Sequence, residues 1–237
     1  MPDPVRDSVL ITRPQPGADE TAARVAALGW RPVVAPLLEI RRLNGSLPMA
    51  TSIQAVLVAS GNALPGLARR YRRRPLLAVG DATAARARAA GFTQVWSAGA
   101  DAAALAALAG RRCDPAGAPL LLAAGRGQSL VLATALRSRG FRVIRRTVYA
   151  SVPVATLPAP AANTLRSGRL RAILFFSAET ARQFARLLTR AGLREPVTSV
   201  DACAIGAAAA AAIEGLPWRR VRRAAQPTQD AMLALLS

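Results

Sequence analysis

The chain has 237 residues, enough for one large domain or two small ones, and a content of 52% hydrophobic against 19% charged residues excludes a disordered polymer. Its formal net charge is +19, carried by Arg alone, because Lys and His are both absent. Those absences exclude Ser-His-Asp and Cys-His nucleophile systems, HExxH zinc sites, the Walker A phosphate loop and Schiff-base chemistry. No metal site and no cofactor are expected.

In chain order, Ser8–Thr12 reads as a strand, followed by the turn Arg13-Pro14-Gln15-Pro16-Gly17. A helix from about Asp19 to Leu28 ends on Gly29 as its C-cap, and Pro32–Pro36 is the next strand. Ala55–Ala59, Leu76–Val79 and Leu120–Ala123 are short apolar runs, each followed by a small-residue turn and a helix. Val143–Tyr149, Ala172–Phe176 and Ala202–Ile205 continue the series. Strands alternating with helices predict an α/β fold with parallel sheets flanked by helices.

The halves of the chain resemble one another. Arg13 and Arg126 both follow a strand and precede a helix, at an offset of 113; Ser60-Gly61-Asn62 matches Ser177-Ala178-Glu179 at 117, and Gly80-Asp81-Ala82-Thr83 matches Gly206-Ala207-Ala208-Ala209 at 126. This A-B-A′-B′ order predicts two similar lobes. Breaks at Arg41–Met49 and in the Pro-rich Ser151–Ala162 stretch leave a continuous middle segment, so the middle lobe is expected to be inserted and the outer segments to join. A cleft between the lobes is then the default ligand site.

Gly125-Arg126-Gly127 has the setting of a dinucleotide fingerprint, but Leu130 occupies the third glycine position and no acidic residue follows about 20 residues on. What the turns at Ser60, Gly80, Gly125, Ser177 and Gly206 share is a place between strand and helix, where backbone N–H groups receive anions. Arg13 and Arg126 add positive charge at equivalent positions. The basic runs Arg69–Arg74 and Arg219–Arg223 read as solvated helix ends; aromatics are only 4%, too few for stacking platforms, so no nucleic-acid partner is expected. Tyr149 stands out by its place at a strand end beside the second break. Cys113 and Cys203, 90 residues apart and in no CxxC pattern, suit a reducing compartment. Met1–Asp7 lacks the apolar segment of a signal peptide, and no apolar run has the length of a membrane span. A cytoplasmic protein without a membrane partner is expected.

An ordered set of segments resembles the uroporphyrinogen-III synthase family: VLITRPQPGADETAARVAALGWRPVVAPLLEI from Val9, AVLVASGNAL from Ala55, LLAVGDATAARARAAGF from Leu76 and LLLAAGRGQSLVLATALRSRGFRVIRRTVYAS from Leu120. ILFFSAETARQFARLL from Ile173, ACAIGAAAAAAIEGL from Ala202 and AQPTQDAMLALL from Ala225 complete it. The resemblance implies two flavodoxin-like lobes joined by a two-stranded hinge: residues 1–38 with 153–237, residues 43–148, and the hinge at 39–42 and 149–152. It implies a cofactor-free enzyme acting on hydroxymethylbilane, a linear tetrapyrrole, in the cleft between the lobes; nothing in the sequence demands more than a monomer. Loss of the terminal hydroxyl gives an azafulvene on ring A, which the substituted carbon of ring D attacks to form a spiro intermediate; fragmentation and reclosure invert ring D. By the same resemblance Tyr149 is the hinge tyrosine that assists hydroxyl departure. Ser60, Thr83 and Ser177 are cleft hydroxyls, Arg13 and Arg126 engage carboxylates or support the loops, and Gly206 offers backbone contacts. The chain departs from the family pattern at Ala207 and Ala209, where Pro and Thr are usual. The alternative reading is a non-catalytic two-lobed protein that binds a polyanion or tetrapyrrole.

Overall fold

A computed structural model describes residues 7–99 and 101–237. The N-terminal stretch read above, apart from Asp7, lies outside the described residues. Two compact units emerge: Met1–Glu39 with Val152–Ser237, and Ile40–Ser151.

The first unit contains β1 (Ser8–Ile11), α1 (Gly17–Ala27) and β2 (Arg31–Val34). After the excursion through the other unit it continues with α5 (Ala159–Arg166), β9 (Leu170–Phe175), α6 (Ala178–Arg190), β10 (Asp201–Ala204), α7 (Ala207–Ala211), β11 (Arg220–Arg223) and α8 (Gln229–Leu233). Its sheet has the order β11-β10-β9-β1-β2, all pairs parallel. Along β1 the side chains alternate: Leu10 joins the core on one face, while Val9 and Ile11 join the core on the other. A strand covered on both faces has no solvent side, which is why β1 runs Val-Leu-Ile after a buried Ser8 and exposes no residue.

The second unit holds β4 (Ala55–Val58), β5 (Leu76–Ala78), α2 (Asp81–Ala89), β6 (Val95–Ser97), α3 (Ala102–Arg112), β7 (Leu120–Gly125) and α4 (Leu130–Arg137). The strands β3 (Leu38–Arg42) and β8 (Val143–Pro153) each cross the unit boundary, and they are neighbours in the order β3-β8-β7-β4-β5-β6. Leu43 N–H donates to Val148 O and Val154 N–H to Leu37 O, so β3 runs antiparallel to β8, whereas β4 to β8 are parallel. Val56, Val58, Leu121 and Ala123 face one core, and Ala55, Leu57, Leu120 and Leu122 the other. Each fully buried Leu in these strands contributes about 1.5–3 kcal/mol.

Helix ends follow local chemistry. Gly29 lies past the end of α1 at φ +86°, a conformation costly for residues with a Cβ, and its N–H caps Ala26 O at 2.9 Å. Ser177 and Thr228 accept N–H bonds at the starts of α6 and α8. No helix among the described residues is long and apolar enough to cross a membrane.

Some expectations need correction. Arg219–Arg223 is not a helix end. Arg220–Arg223 form β11, an edge strand, and the guanidinium of Arg219 holds the buried carboxylate of Asp201 through Nε at 2.8 Å and Nη2 at 2.6 Å. Charge on an edge strand blocks edge-to-edge pairing, and it also hides the strand from any search for apolar alternation. The first run forms a 3-10 turn at Arg69–Tyr71, whose Tyr71 is fully buried and donates its hydroxyl proton to Pro48 O. The Pro-rich stretch Ser151–Ala162 itself holds the end of β8, at Pro153, and the start of α5, at Ala159.

Candidate active site

In each sheet the chain reverses its direction of travel once. From β1 it moves outward to β2, and from β9 outward the other way to β10 and β11. In the second sheet it moves from β4 to β5 and β6, and from β7 to β8 on the opposite side. Adjacent turns at such a reversal part from one another, and the gap beyond the carboxyl ends of the strands is where open parallel sheets receive ligands. Arg13 and Ser177 stand after β1 and β9, with Gly206 after β10. Ser60 and Arg126 stand after β4 and β7, with Thr83 on the helix after β5. All six thus lie at the carboxyl edge of their own sheet. Tyr149 is not at a strand end as expected: β8 runs on to Pro153, and Tyr149 lies within it, opposite Gly125 across a register shift.

The turn after β1 is stapled shut by its own side chain. The guanidinium of Arg13 lies 4.4 Å from the ring centroid of Phe176, and Nη1 donates to Thr21 Oγ1 at 3.2 Å and Gln229 Oε1 at 3.1 Å. A Cβ on Gly17 would sit 2.6–2.7 Å from that guanidinium, so glycine at position 17 lets it pack against the main chain. Ser177 is the N-cap of α6: its Oγ accepts from Thr180 N at 3.1 Å and also shares a short hydrogen bond with Thr180 Oγ1. Gly206 caps α7 with extended backbone and open space around its Cα. Ala209, where the family usually has Thr, is buried.

In the second unit Ser60 Oγ accepts from Asn62 N at 3.3 Å, and Thr83 is half-buried in the first turn of α2. The turn after β7 is held from its backbone. Arg145 donates from Nε and Nη2 to Gln128 O at 3.0 and 2.7 Å, and from Nη2 to Gly125 O at 3.3 Å. The side chain of Arg126 is left exposed, while its N–H donates to Tyr149 O at 2.9 Å. Tyr149, only 3% exposed, donates its phenol proton to Gln128 Oε1 at 2.7 Å. A Cβ at Gly125 would sit 2.7 Å from both Tyr149 Cζ and Gln128 Oε1, so that glycine makes room for the pair. Ser129 completes the turn at φ +60°, a left-handed conformation uncommon outside glycine. Gln128, Arg145 and Phe176 were missed by sequence reasoning; the only available signal for the first was its place directly after Gly125-Arg126-Gly127.

The cysteines do not join these turns as nucleophiles. Burial pushes the Cys203 thiol up to about 12, the positive charge of Arg222 lowering it and Asp201 raising it further, and burial raises Cys113 as well. Among the described residues no group of His, Cys, Asp or Glu is placed to hold a metal ion.

What the fold and turns define is a class: two α/β units, each with hydroxyls and helix starts at the carboxyl edge of its own sheet. A family model described as uroporphyrinogen-III synthase HemD matches residues 19–234, and the chain belongs to the uroporphyrinogen-III synthase family. It is accordingly a lyase of haem biosynthesis, which cyclises hydroxymethylbilane with inversion of ring D to uroporphyrinogen III. A crystal structure of the Helicobacter pylori uroporphyrinogen-III synthetase matches the fold with a TM-score of 0.64 at 18% identity, over 98% of each chain. A mutant uroporphyrinogen III synthase from Thermus thermophilus matches with a TM-score of 0.51 at 19% identity, over 97% of each chain. No curated protein matches the sequence.

Proposed function

We propose that the carboxyl edges of the two sheets bind hydroxymethylbilane and that Tyr149 assists departure of its hydroxyl. The observation that carries this reading is the phenol of Tyr149, held at 2.7 Å by Gln128 inside the turn that Arg145 clamps. Each pyrrole of the bilane bears an acetate and a propionate, so the substrate is a polyanion suited to guanidinium and backbone N–H donors. In this reading Arg126 reaches substrate carboxylates from its exposed position. Ser60, Thr83 and the N–H groups around Ser177 and Gly206 supply further donors, and Arg13 acts by keeping the β1 turn in shape.

The terminal hydroxyl accepts a hydrogen bond from Tyr149 as its C–O bond breaks and takes a proton from solvent to leave as water, while the pyrrole nitrogen lone pair drives formation of the azafulvene and the N–H proton returns to solvent. Attack by the substituted carbon of ring D gives the spiro intermediate; fragmentation and reclosure through the other carbon then invert the ring. The leaving step is easy, so the protein's main contribution is to fold the bilane until the ring D carbon meets the azafulvene. In the resting turn the phenol proton is directed at Gln128, and the substrate hydroxyl takes that proton's direction when bound.

The test is an isomer assay. Hydroxymethylbilane is generated in place by its own synthase and incubated with and without the protein, and the oxidised uroporphyrins are separated by chromatography. Predominantly type III product is expected. Type I alone, from folded protein, would overturn catalysis and leave a tetrapyrrole-binding role.

A further inference from the structure

Within the second unit, the 3-10 segment Gly61–Gly66 packs against α2 and leaves a groove of about 310 Å³. Leu64, Leu67 and Phe92 form apolar walls, and Arg72 and Arg86 bring guanidinium groups to the same groove. We propose that this groove is a carboxylate subsite that seats one acid-bearing arm of a substrate pyrrole, with Arg86 and Arg72 as its anion-holding residues. The proposal rests on the reading above that the substrate is hydroxymethylbilane.

Each guanidinium lies beside a glycine, tightly at Gly61 and in ordinary contact at Gly91. A Cβ at Gly61 would sit 2.8–3.1 Å from the guanidinium atoms of Arg86, so only a residue without a side chain lets that group lie against the main chain. Gly91, at φ +89°, brings its Cα close to Arg72, whose Cδ, Nε and Cζ would be 3.4 Å from a Cβ there. The main-chain oxygen of Arg72 is fixed as well, accepting Thr93 N–H at 3.0 Å and the Thr93 hydroxyl at 3.3 Å.

The groove's place relates it to the candidate site. Gly61 directly follows Ser60, and Arg86 lies three residues beyond Thr83, on the same side of α2. Its volume is at the small end of ligand pockets, too little for a tetrapyrrole but adequate for a substituent arm. Apolar walls accept the methylenes of a propionate or acetate, while planar guanidinium forks match the carboxylate.

Steady-state kinetics on Arg86→Gln and Gly61→Ala test this, with Arg111→Gln, an exposed position at the end of α3, as a control for loss of one charge. Arg86→Gln is expected to raise KM about tenfold while kcat stays within about twofold. Gly61→Ala, which displaces the guanidinium without changing charge, should raise KM by about threefold on the same reasoning, and Arg111→Gln by less than about twofold. KM values for Arg86→Gln and Gly61→Ala no different from that of Arg111→Gln overturn the subsite. If the wild-type protein forms only type I product, the catalytic reading fails separately, and fluorescence titration with uroporphyrin I decides the groove. A Kd weakened about tenfold by Arg86→Gln but not by Arg111→Gln supports it, and equal Kd values overturn it.

Discussion

The turns after β1 and β7 occupy equivalent places in the duplicated pattern and carry an arginine at the same step, yet the two side chains do opposite things. Arg13 is folded inward, stacked on Phe176 and bonded to Thr21 and Gln229, so it closes its own turn. Arg126 is exposed, and a different residue, Arg145, performs the closing from the neighbouring strand. One turn gains its shape from its own cation, while the other borrows a cation and keeps its own exposed. Equivalence in a repeat therefore assigns a position in the sheet and leaves the job to the surroundings.

The largest effect expected from this contrast is on stability. Arg13→Ala removes a cation–π contact and two hydrogen bonds and should cost about 2–3 kcal/mol, a fall in Tm of about 5 °C or more. Arg126→Ala should leave Tm within about 1 °C and raise KM by a few-fold, as an exposed carboxylate-binding group would. Equal losses of Tm in the two variants would erase the distinction between the turns.

Tyr149→Phe sharpens the comparison from the β7 side. The ring keeps its packing and only the phenol oxygen is lost, so kcat should fall about tenfold with KM and Tm nearly constant. Stopped assays at saturating bilane measure this, and an unchanged kcat would remove the tyrosine from the mechanism.

Cys203 makes the stability depend on pH. Cys203 titrates near 9.0 when unfolded and at about 12 when buried. The unfolded chain releases this proton first, so this thiol's contribution to stability is fully present below pH 9 and is lost as pH rises from 9 toward 12. The slope is about 1.4 kcal/mol per pH unit from this one group. Urea unfolding at pH 8 and pH 10 should show the loss, and Cys203→Ala should remove about that much of it. The smallest effect is expected at Ala209. Because the position is buried, Ala209→Thr should cost about 1 kcal/mol through overpacking, with no gain in kcat. A rise in kcat would mean that the hydroxyl usual in the family acts here too.

Much of the fold was legible in the sequence, and the reason is burial on both faces. Strands such as β4 (Ala-Val-Leu-Val) and β7 (Leu-Leu-Leu-Ala-Ala-Gly) must be apolar throughout, so they stand out between turns and helices. The edge strand β11 (Arg-Val-Arg-Arg) was illegible because nothing covers its outer edge and charge is favoured there. The short β6 (Val-Trp-Ser), also at an edge, was missed because its half-buried residues make no continuous apolar run, unlike the equally short but fully buried β5 (Leu-Leu-Ala). For the candidate site, the turns could be located because a strand followed by Gly, Ser or Arg and then a helix is a local signature. The partners inside those turns could not, since they depend on residues distant in the chain.

The sequence by itself determined an alternating α/β chain with an internal duplication, a family resemblance running along nearly its whole length, and the absence of His and Lys chemistry. These are properties of composition and of segments a few residues long. Only the tertiary structure decided that Arg13 closes a turn by reaching Gln229, 216 residues away, that Tyr149 is held by Gln128, and that Gly61 gives way to Arg86. Each depends on which side chains the packed sheets bring within 3–4 Å of one another, and that proximity is set by strand order and register, which no local stretch of sequence encodes.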